Sequence, residues 1–340
     1  MMTITPIVLL SLCSFIAAFG LTYQLFRLAP KLQLLQHANA RSSHSKPTAT
    51  GGGVSFAFIG LMIGFAFCFM QPKMLPYMLF AALLTIVGLL DDLFEVRALW
   101  RFAIQFLSTI VLFWSVGTID FAVSLLGPGL FFFALLGCLL AAIWWLNLVN
   151  FMDGIDGLVA TQSAAIMFCA VLLGPIVFGT PMGIFELWGV IVASAVLGFL
   201  MLNFPPARIF MGDAGSYFIA AAMLAMFLFS SSQTPHVIVA WLLLAAPLVC
   251  DATGTLVVRF LQREKWYAPH RQHLYQKLSR RWSSHRLATL AYLAATLFIM
   301  LPLAVLSILL PEVAVILLLV TYSVGMAFVI ILGAGRPEHA

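Results

Sequence analysis

Asn147-Leu-Val-Asn150-Phe-Met-Asp153-Gly-Ile-Asp156-Gly157 places two amides, two carboxylates and two glycines in eleven residues, directly after an unbroken apolar run. Asn and Asp at near-helical spacing supply short, stiff oxygen ligands, and the glycines let the backbone turn or approach a bound group. That combination suits a phosphate, a metal or a nucleotide, whereas an Asx-rich turn joining two membrane helices is the plain alternative. Asp91-Asp92 forms a second pair, and adjacent carboxylates repel unless a cation, a proton or interfacial water separates them. In Asn203-Phe-Pro-Pro-Ala-Arg-Ile-Phe210-Met-Gly-Asp213-Ala-Gly-Ser216, two glycines flank Asp213 so that its carboxylate can come close to a ligand. Asp213 and Ser216 can equally cap a helix, and Phe210 either stacks on a base or simply packs.

Two further polar segments complete the set. Pro269-His270-Arg271-Gln-His273 lies at the centre of the longest loop, Arg259 to Arg286, which holds eight lysines and arginines. Arginine in such a cluster has the fork geometry to clamp a diphosphate. An anionic-lipid patch is the alternative, and it is the reading preferred for the outer residues Arg280, Arg281 and Arg286. Arg41-Ser-Ser-His-Ser-Lys46-Pro-Thr-Ala-Thr-Gly51-Gly-Gly53 is too polar to span a bilayer and has the glycine content of a loop that approaches a ligand through its backbone.

The elements that must position these segments are membrane helices. With 63% apolar side chains, 9% charged ones and a mean hydropathy of +1.08, the 340-residue chain is no soluble globular domain, whose charged fraction is about a quarter. The expected fold is all-α and polytopic, a single integral membrane domain over 1–340 with 10 or 11 spans and its active site on the cytoplasmic loops. Runs near the roughly 20 residues needed to cross a bilayer fall at 4–26, 53–71, 75–92, 100–118, 127–148, 158–179, 184–203, 214–231, 236–258, 287–310 and 312–334. No basic residue precedes the first run, and Arg27 and Lys31 follow it, the reverse of a secretory signal, so it reads as a retained span. The five cysteines sit in apolar runs without C-x-x-C spacing, which points away from zinc and disulfides.

Charge then orients the chain. Of its 17 lysines and arginines, all but Lys73 fall on loops after odd-numbered spans or in the C-terminal tail. The positive-inside rule therefore puts the N-terminus outside and the C-terminus in the cytoplasm, and it accounts for the net charge of +5 without nucleic acid. Most of the acids, including Asp91, Asp92, Asp153, Asp156 and Asp213, lie on the same face, with Asp251 on the ninth span about two turns in. Acids have little part in that rule, so their clustering needs a cause of its own.

These motifs resemble those of the bacterial polyprenyl-phosphate N-acetylhexosaminyl-1-phosphate transferases. The matching pieces are Pro47-Thr-Ala-Thr-Gly-Gly-Gly53, Gly88-Leu-Leu-Asp-Asp92, Asn147 to Gly157, Asn203 to Ala207, Phe210 to Ser216 and His270 to His273, in the family's order. The resemblance implies transfer of a sugar 1-phosphate from a UDP-N-acetylhexosamine to undecaprenyl phosphate with release of UMP. It implies Mg²⁺, with Mn²⁺ as substitute, at Asp213, and metal or lipid phosphate at Asp91 and Asp92. By the same resemblance Asn150, Asp153, Asp156, Asn203 and Phe210, with Asn147 and Lys46 beside them, hold the nucleotide sugar, and His270, Arg271 and His273 the diphosphate. Asp91 as a base is an implication of the family only, because a phosphomonoester with a second pKa of about 6 is already mostly a dianion at pH 7.

One departure narrows the branch. The muramoyl-pentapeptide translocases carry consecutive histidines where this chain has His270-Arg-Gln-His273, which favours enzymes that start O-antigen or related envelope polysaccharides on UDP-GlcNAc, UDP-FucNAc or UDP-QuiNAc. The implied setting is the bacterial inner membrane, with membrane lipids as neighbours and a homodimer left open. Two other classes compete. A cation-coupled transporter would place charges near the bilayer midplane on broken helices, and here the mid-span segments are nearly charge-free. A CDP-alcohol phosphotransferase would continue Asp-Gly-x-x-Ala-Arg, whereas Asp153-Gly-Ile-Asp-Gly runs on into Leu-Val-Ala-Thr.

Overall fold

The computed structural model describes residues 4–36, 47–178, 182–265 and 270–337, with side chains described outside 119–128 and 175–178. All eleven apolar runs become helix, because in hydrocarbon every backbone N–H and C=O must find its partner within the segment. In chain order they are α1 (Ile4–Leu28), α2 (Val54–Cys68), α3 (Leu75–Phe94), α4 (Ala98–Ser115), α5 (Thr118–Met152), α6 (Leu158–Phe178), α7 (Ile184–Asn203), α8 (Asp213–Gln233) and α9 (Val237–Leu261). A short α10 (Leu274–Arg281) follows, then α11 (His285–Ala295), α12 (Leu301–Leu309) and α13 (Pro311–Ile331).

Nine helices among the described residues are long and apolar enough to cross a membrane, so the chain is a multi-pass membrane protein. Two of the expected spans are shorter in the apolar part described, Val54–Cys68 and Leu158–Gly174. At about 1.5 Å per residue, α2 reaches roughly 22 Å, less than the hydrocarbon thickness. The tenth expected run is one span built as α11, a π-helical turn at Thr296–Met300, and α12. Pro302, which has no N–H to give the preceding turn, sits at its C-terminal edge.

Helices α7 and α8 form the centre, with 72% and 78% of their spanning windows buried against 17% for α1 and 11% for α13. Small residues bring this about. Helix α8 opens Asp213-Ala-Gly-Ser and continues through Ala220-Ala-Ala222, which lets neighbouring backbones come close. A tight crossing lies directly below the acid pair of α3. A Cβ on Gly88 would stand 2.4 Å from the Asp213 carbonyl oxygen, so only glycine permits α3 to carry Asp91 and Asp92 up to the start of α8.

The one sheet among the described residues is small, and sequence periodicity did not reveal it. Leu35–Gln36 (β1) pairs antiparallel with Thr48–Ala49 (β2), and Ala49 bridges in parallel to Ile209. The Gly52 and Gly53 N–H groups donate to the carbonyls of Phe210 (2.9 Å) and Met211 (2.8 Å). The Pro47–Gly53 segment is thereby zipped along the loop that leads to Asp213. Lys46 lies outside the described residues.

Candidate active site

The ends of α3, α5 and α7 and the starts of α4 and α8 meet at one end of the bundle, and their polar residues interlock. Helix α5 runs four residues past the expected span end, to Met152, so Asn147 and Asn150 ride its last turns and Asp153 caps it. Gly212, at φ +77° where side chains are disfavoured, turns the chain sharply into α8. The Asp213 and Ala214 N–H groups then donate to the two carboxylate oxygens of Asp92, at 2.8 and 3.1 Å. A carboxylate at a helix N-terminus is favoured by the unpaired N–H groups and by the dipole. Asp92 therefore fixes the first turn of α8 and, with it, the Asp213 side chain.

Asp213 stands at the centre. Its Oδ1 accepts from Asn150 Nδ2 at 2.9 Å, and the same amide reaches Ser216 Oγ at 3.0 Å. Its Oδ2 lies 3.4 Å from Arg101 Nη1, and that guanidinium nitrogen also pairs with Asp91. Arg101, on the first turn of α4, is the residue that sequence reasoning missed. It counted only as a loop cation, ten residues from Asp91 and 112 from Asp213, and no local pattern announces a bridge between them.

Which residues fit a divalent metal follows from these partners. Asp91 and Asp213 share the Arg101 cation, a pair of hard carboxylates suited to Mg²⁺. Mg²⁺ ordinarily takes only one or two carboxylates together with substrate phosphates and water. Among the described residues, no three His, Cys, Asp or Glu side chains converge as a metal cage. Asp92 has its oxygens engaged by backbone N–H groups and acts first as a positioning residue.

The remaining sequence candidates divide into two groups. Asn147 turns away from Asp213 and donates to Gln105 Oε1 and the Ile143 carbonyl, both at 2.8 Å. Buried Asn203 stitches loops together, accepting from Gly157 N–H at 3.1 Å and donating to the Ile209 carbonyl at 3.0 Å. Asp156, 4% exposed, accepts from Ala207 N–H at 3.0 Å and lies 3.3 Å from His285 Nδ1. These three hold the frame. Asp153, Phe210, His270 and Arg271 are partly exposed at the same end of the molecule.

Asp153 shows its environment in its acidity. Desolvation, with the nearby charges of Asp92 and Asp156, pushes its pKa from 3.8 up to about 7. A carboxylate raised in this way holds its proton more tightly in the folded chain, so stability is fullest below 3.8 and declines as pH rises to about 7. In metal-free protein Asp153→Asn should remove that decline, and its gain in Tm over wild type should be larger at pH 8 than at pH 5.

The histidine segment is anchored by a residue with no evident partner in the sequence. Asp251, fully buried on α9, accepts from Leu274 N–H (2.8 Å), Tyr275 N–H (2.9 Å) and Tyr292 Oη (2.5 Å), and lies 3.6 Å from His273 Nδ1. It thus caps α10 from another helix. Tyr275 donates in turn to the Phe151 carbonyl at 2.9 Å, which ties this loop to the end of α5 beside Asp153. His273 is buried in this network, whereas His270 is displaced toward neutrality, its pKa lowered to about 3 by desolvation and by His273 and Arg259. Arg271 sets a guanidinium beside this neutral ring. Asp251→Ala, which strands two N–H groups and a phenol, should destabilise the protein by about 3 kcal/mol, seen as a lower Tm in detergent.

The sequence is also similar to that of known proteins. The sequence model of glycosyl transferase family 4 matches residues 74–231, the stretch that supplies Asp91, Asp92, Arg101, Asn150 and Asp213. The chain is 29% identical over 282 residues to a probable undecaprenyl-phosphate N-acetylglucosaminyl 1-phosphate transferase of Bacillus subtilis, covering 80% of this chain and 77% of that protein. An undecaprenyl-phosphate alpha-N-acetylglucosaminyl 1-phosphate transferase of Thermotoga maritima is 27% identical over 78% of this chain and 80% of its own length. A decaprenyl-phosphate N-acetylglucosaminephosphotransferase of Mycobacterium leprae is 28% identical over 76% of this chain and 73% of its own.

Proposed function

We propose that the chain, similar to glycosyl transferase family 4 over residues 74–231 and to polyprenyl-phosphate N-acetylglucosaminyl 1-phosphate transferases over most of its length, transfers GlcNAc 1-phosphate, or a FucNAc or QuiNAc equivalent, from the UDP-sugar to undecaprenyl phosphate. UMP leaves, and the lipid-linked sugar diphosphate starts an envelope polysaccharide such as O-antigen. The observation that carries this reading is the Asp91–Arg101–Asp213 bridge, closed by Asn150 and held in place by Asp92. The positive-inside charge pattern supports a cytoplasmic setting for this end of the bundle, where nucleotide sugars are found, with the N-terminus outside.

The residues divide the work. Asp213 and Asp91 would hold Mg²⁺, and the bound ion would supply the positive charge that offsets the diphosphate's negative charge. Arg101, paired with Asp91, offers a cation to the incoming lipid phosphate. Since the acceptor is already a dianion at pH 7, Asp91 positions charge and is not required as a base. Asp153 and Phe210 face the donor, and Arg271 takes charge from the leaving UMP.

A donor panel tests the reading. Purified protein with Mg²⁺ and undecaprenyl phosphate should release UMP from one of UDP-GlcNAc, UDP-FucNAc and UDP-QuiNAc. Release from UDP-MurNAc-pentapeptide alone would make it a translocase of peptidoglycan synthesis. Turnover with none of these donors by folded protein would refute the assignment.

A further inference from the structure

One helical turn below the layer of Arg101, Asn150 and Asp213 lies a second polar layer. Helix α4 carries Gln105 four residues after Arg101, α5 carries Asn147 three residues before Asn150, and α8 carries Tyr217 four residues after Asp213. Residues spaced in this way share a helix face, so each member of the second layer stands under one of the first. Gln105 and Tyr217 are buried, at 0% and 2% exposure. Polar groups inside a membrane bundle are costly unless they are paired or serve a site.

The second layer leads from α5 through α4 to α8. Asn147 Nδ2 donates to Gln105 Oε1 at 2.8 Å, which fixes the orientation of the Gln105 amide. Among the described residues its Nε2, buried, makes no hydrogen bond. The Tyr217 phenol is an acceptor within reach of that amide, and it lies in the electrostatic field of Arg101, Asp91 and Asp213. Long side chains on a helix lean toward its N-terminus, so the phenol oxygen is carried back up toward the level of Asp213. Deeper in the bundle, Trp145 Nε1 donates to the Ala220 carbonyl at 3.1 Å and holds α5 against α8 beneath this layer. Arg101 itself keeps 28% of its side chain exposed, and its ion pairs are with Asp91 and Asp213. A guanidinium held by two carboxylates alone would lose its place when a metal claimed either of them, whereas a phenol on its buried side gives it a fixed seat.

We propose that Tyr217, oriented by Asn147 through Gln105, is a positioning residue that keeps the Arg101 guanidinium aimed into the gap between Asp91 and Asp213. The inference rests on the transferase reading for its consequence, since that guanidinium is the cation offered to the lipid phosphate. A packing role for Tyr217 would need its ring and not its hydroxyl.

Tyr217→Phe removes the hydroxyl alone, and a double-mutant cycle with Arg101→Gln reports whether the two residues act together. With the protein in nanodiscs, Y217F should lower kcat/KM for undecaprenyl phosphate about fivefold, the scale of one buried hydrogen bond, and leave KM for the UDP-sugar fixed. In the R101Q background the same change should have no further effect. Q105M, which keeps the length of the side chain, should follow Y217F in both backgrounds. The rise of Tm with Mg²⁺, recorded without substrates, gives a readout independent of turnover. Its midpoint should move toward lower Mg²⁺ in Y217F, by a smaller step than in R101Q, and the double variant should match R101Q. An equal loss of kcat/KM in both backgrounds would mark a packing role and overturn the proposal, as would a Y217F that matches wild type in both measurements. If no donor is turned over while Y217F still moves the Mg²⁺ midpoint only when Arg101 is present, the transferase assignment fails and the positioning role stands.

Discussion

Asp213→Asn should lower sugar-phosphate transfer by roughly three orders of magnitude or more, the scale of losing a charge that holds the catalytic cation. The substitution keeps the size of the side chain and its place on the first turn of α8, where Asp92 accepts from the backbone whatever residue 213 carries. It removes one of the carboxylates crowded around Arg101, so the Tm should stay level or rise. This pairing of lost activity with retained stability separates a ligand from a structural residue, and single-turnover UMP release alongside thermal unfolding measures both. Asp92→Asn should behave differently, since its amide nitrogen would point a donor at the α8 N–H groups. Stability and activity should then fall together.

Arg101→Gln has the second largest expected effect and an unusual direction. The guanidinium pairs with both Asp91 and Asp213, so its loss leaves those carboxylates uncompensated and should tighten the apparent affinity for Mg²⁺. The same loss removes the cation offered to the lipid phosphate, and kcat should fall about a hundredfold, near the effect of removing one preorganised donor. A variant that binds metal better and turns over worse is hard to obtain from misfolding. Titrating Mg²⁺ against initial rate gives both quantities, and Arg101→Lys should recover part of kcat.

The helices and their order are legible in the sequence because membrane spans are written locally, as apolar length, and the Asn, Asp and Gly motifs stand out against that background. Pairing between motifs is not written locally. Arg101 meets Asp213 only because α3 and α8 cross at Gly88, and no pattern within a window of twenty residues reveals that crossing. Asp251 shows the same limit: a single carboxylate on an apolar helix reads as an oddity until the backbone of Leu274 and Tyr275 is seen to need it. The amides mislead in the opposite way. Asn147 and Asn203 have the side chains of ligand-binding residues, yet one is consumed by Gln105 and the other joins two loops. Residue type signals polarity, and only packing decides whether that polarity faces a substrate or a neighbouring element.

Short elements were equally hidden. The α10 helix is too short and too polar to be found by hydropathy, and a cleft it borders joins Arg271 and Arg280 to Asp156, more than a hundred residues away. The arginines of this loop look alike in sequence, and only the fold sets Phe204 under Arg286.

The most direct test of the transfer assignment is the stoichiometry of UMP release by wild-type protein in nanodiscs, measured with and without undecaprenyl phosphate and with and without Mg²⁺. The expected result is one UMP per lipid-linked sugar diphosphate, with no release when either the acceptor or the metal is omitted. UMP release at the same rate without the acceptor, or folded protein that binds the donor and forms no lipid product, would contradict transfer to a polyprenyl phosphate.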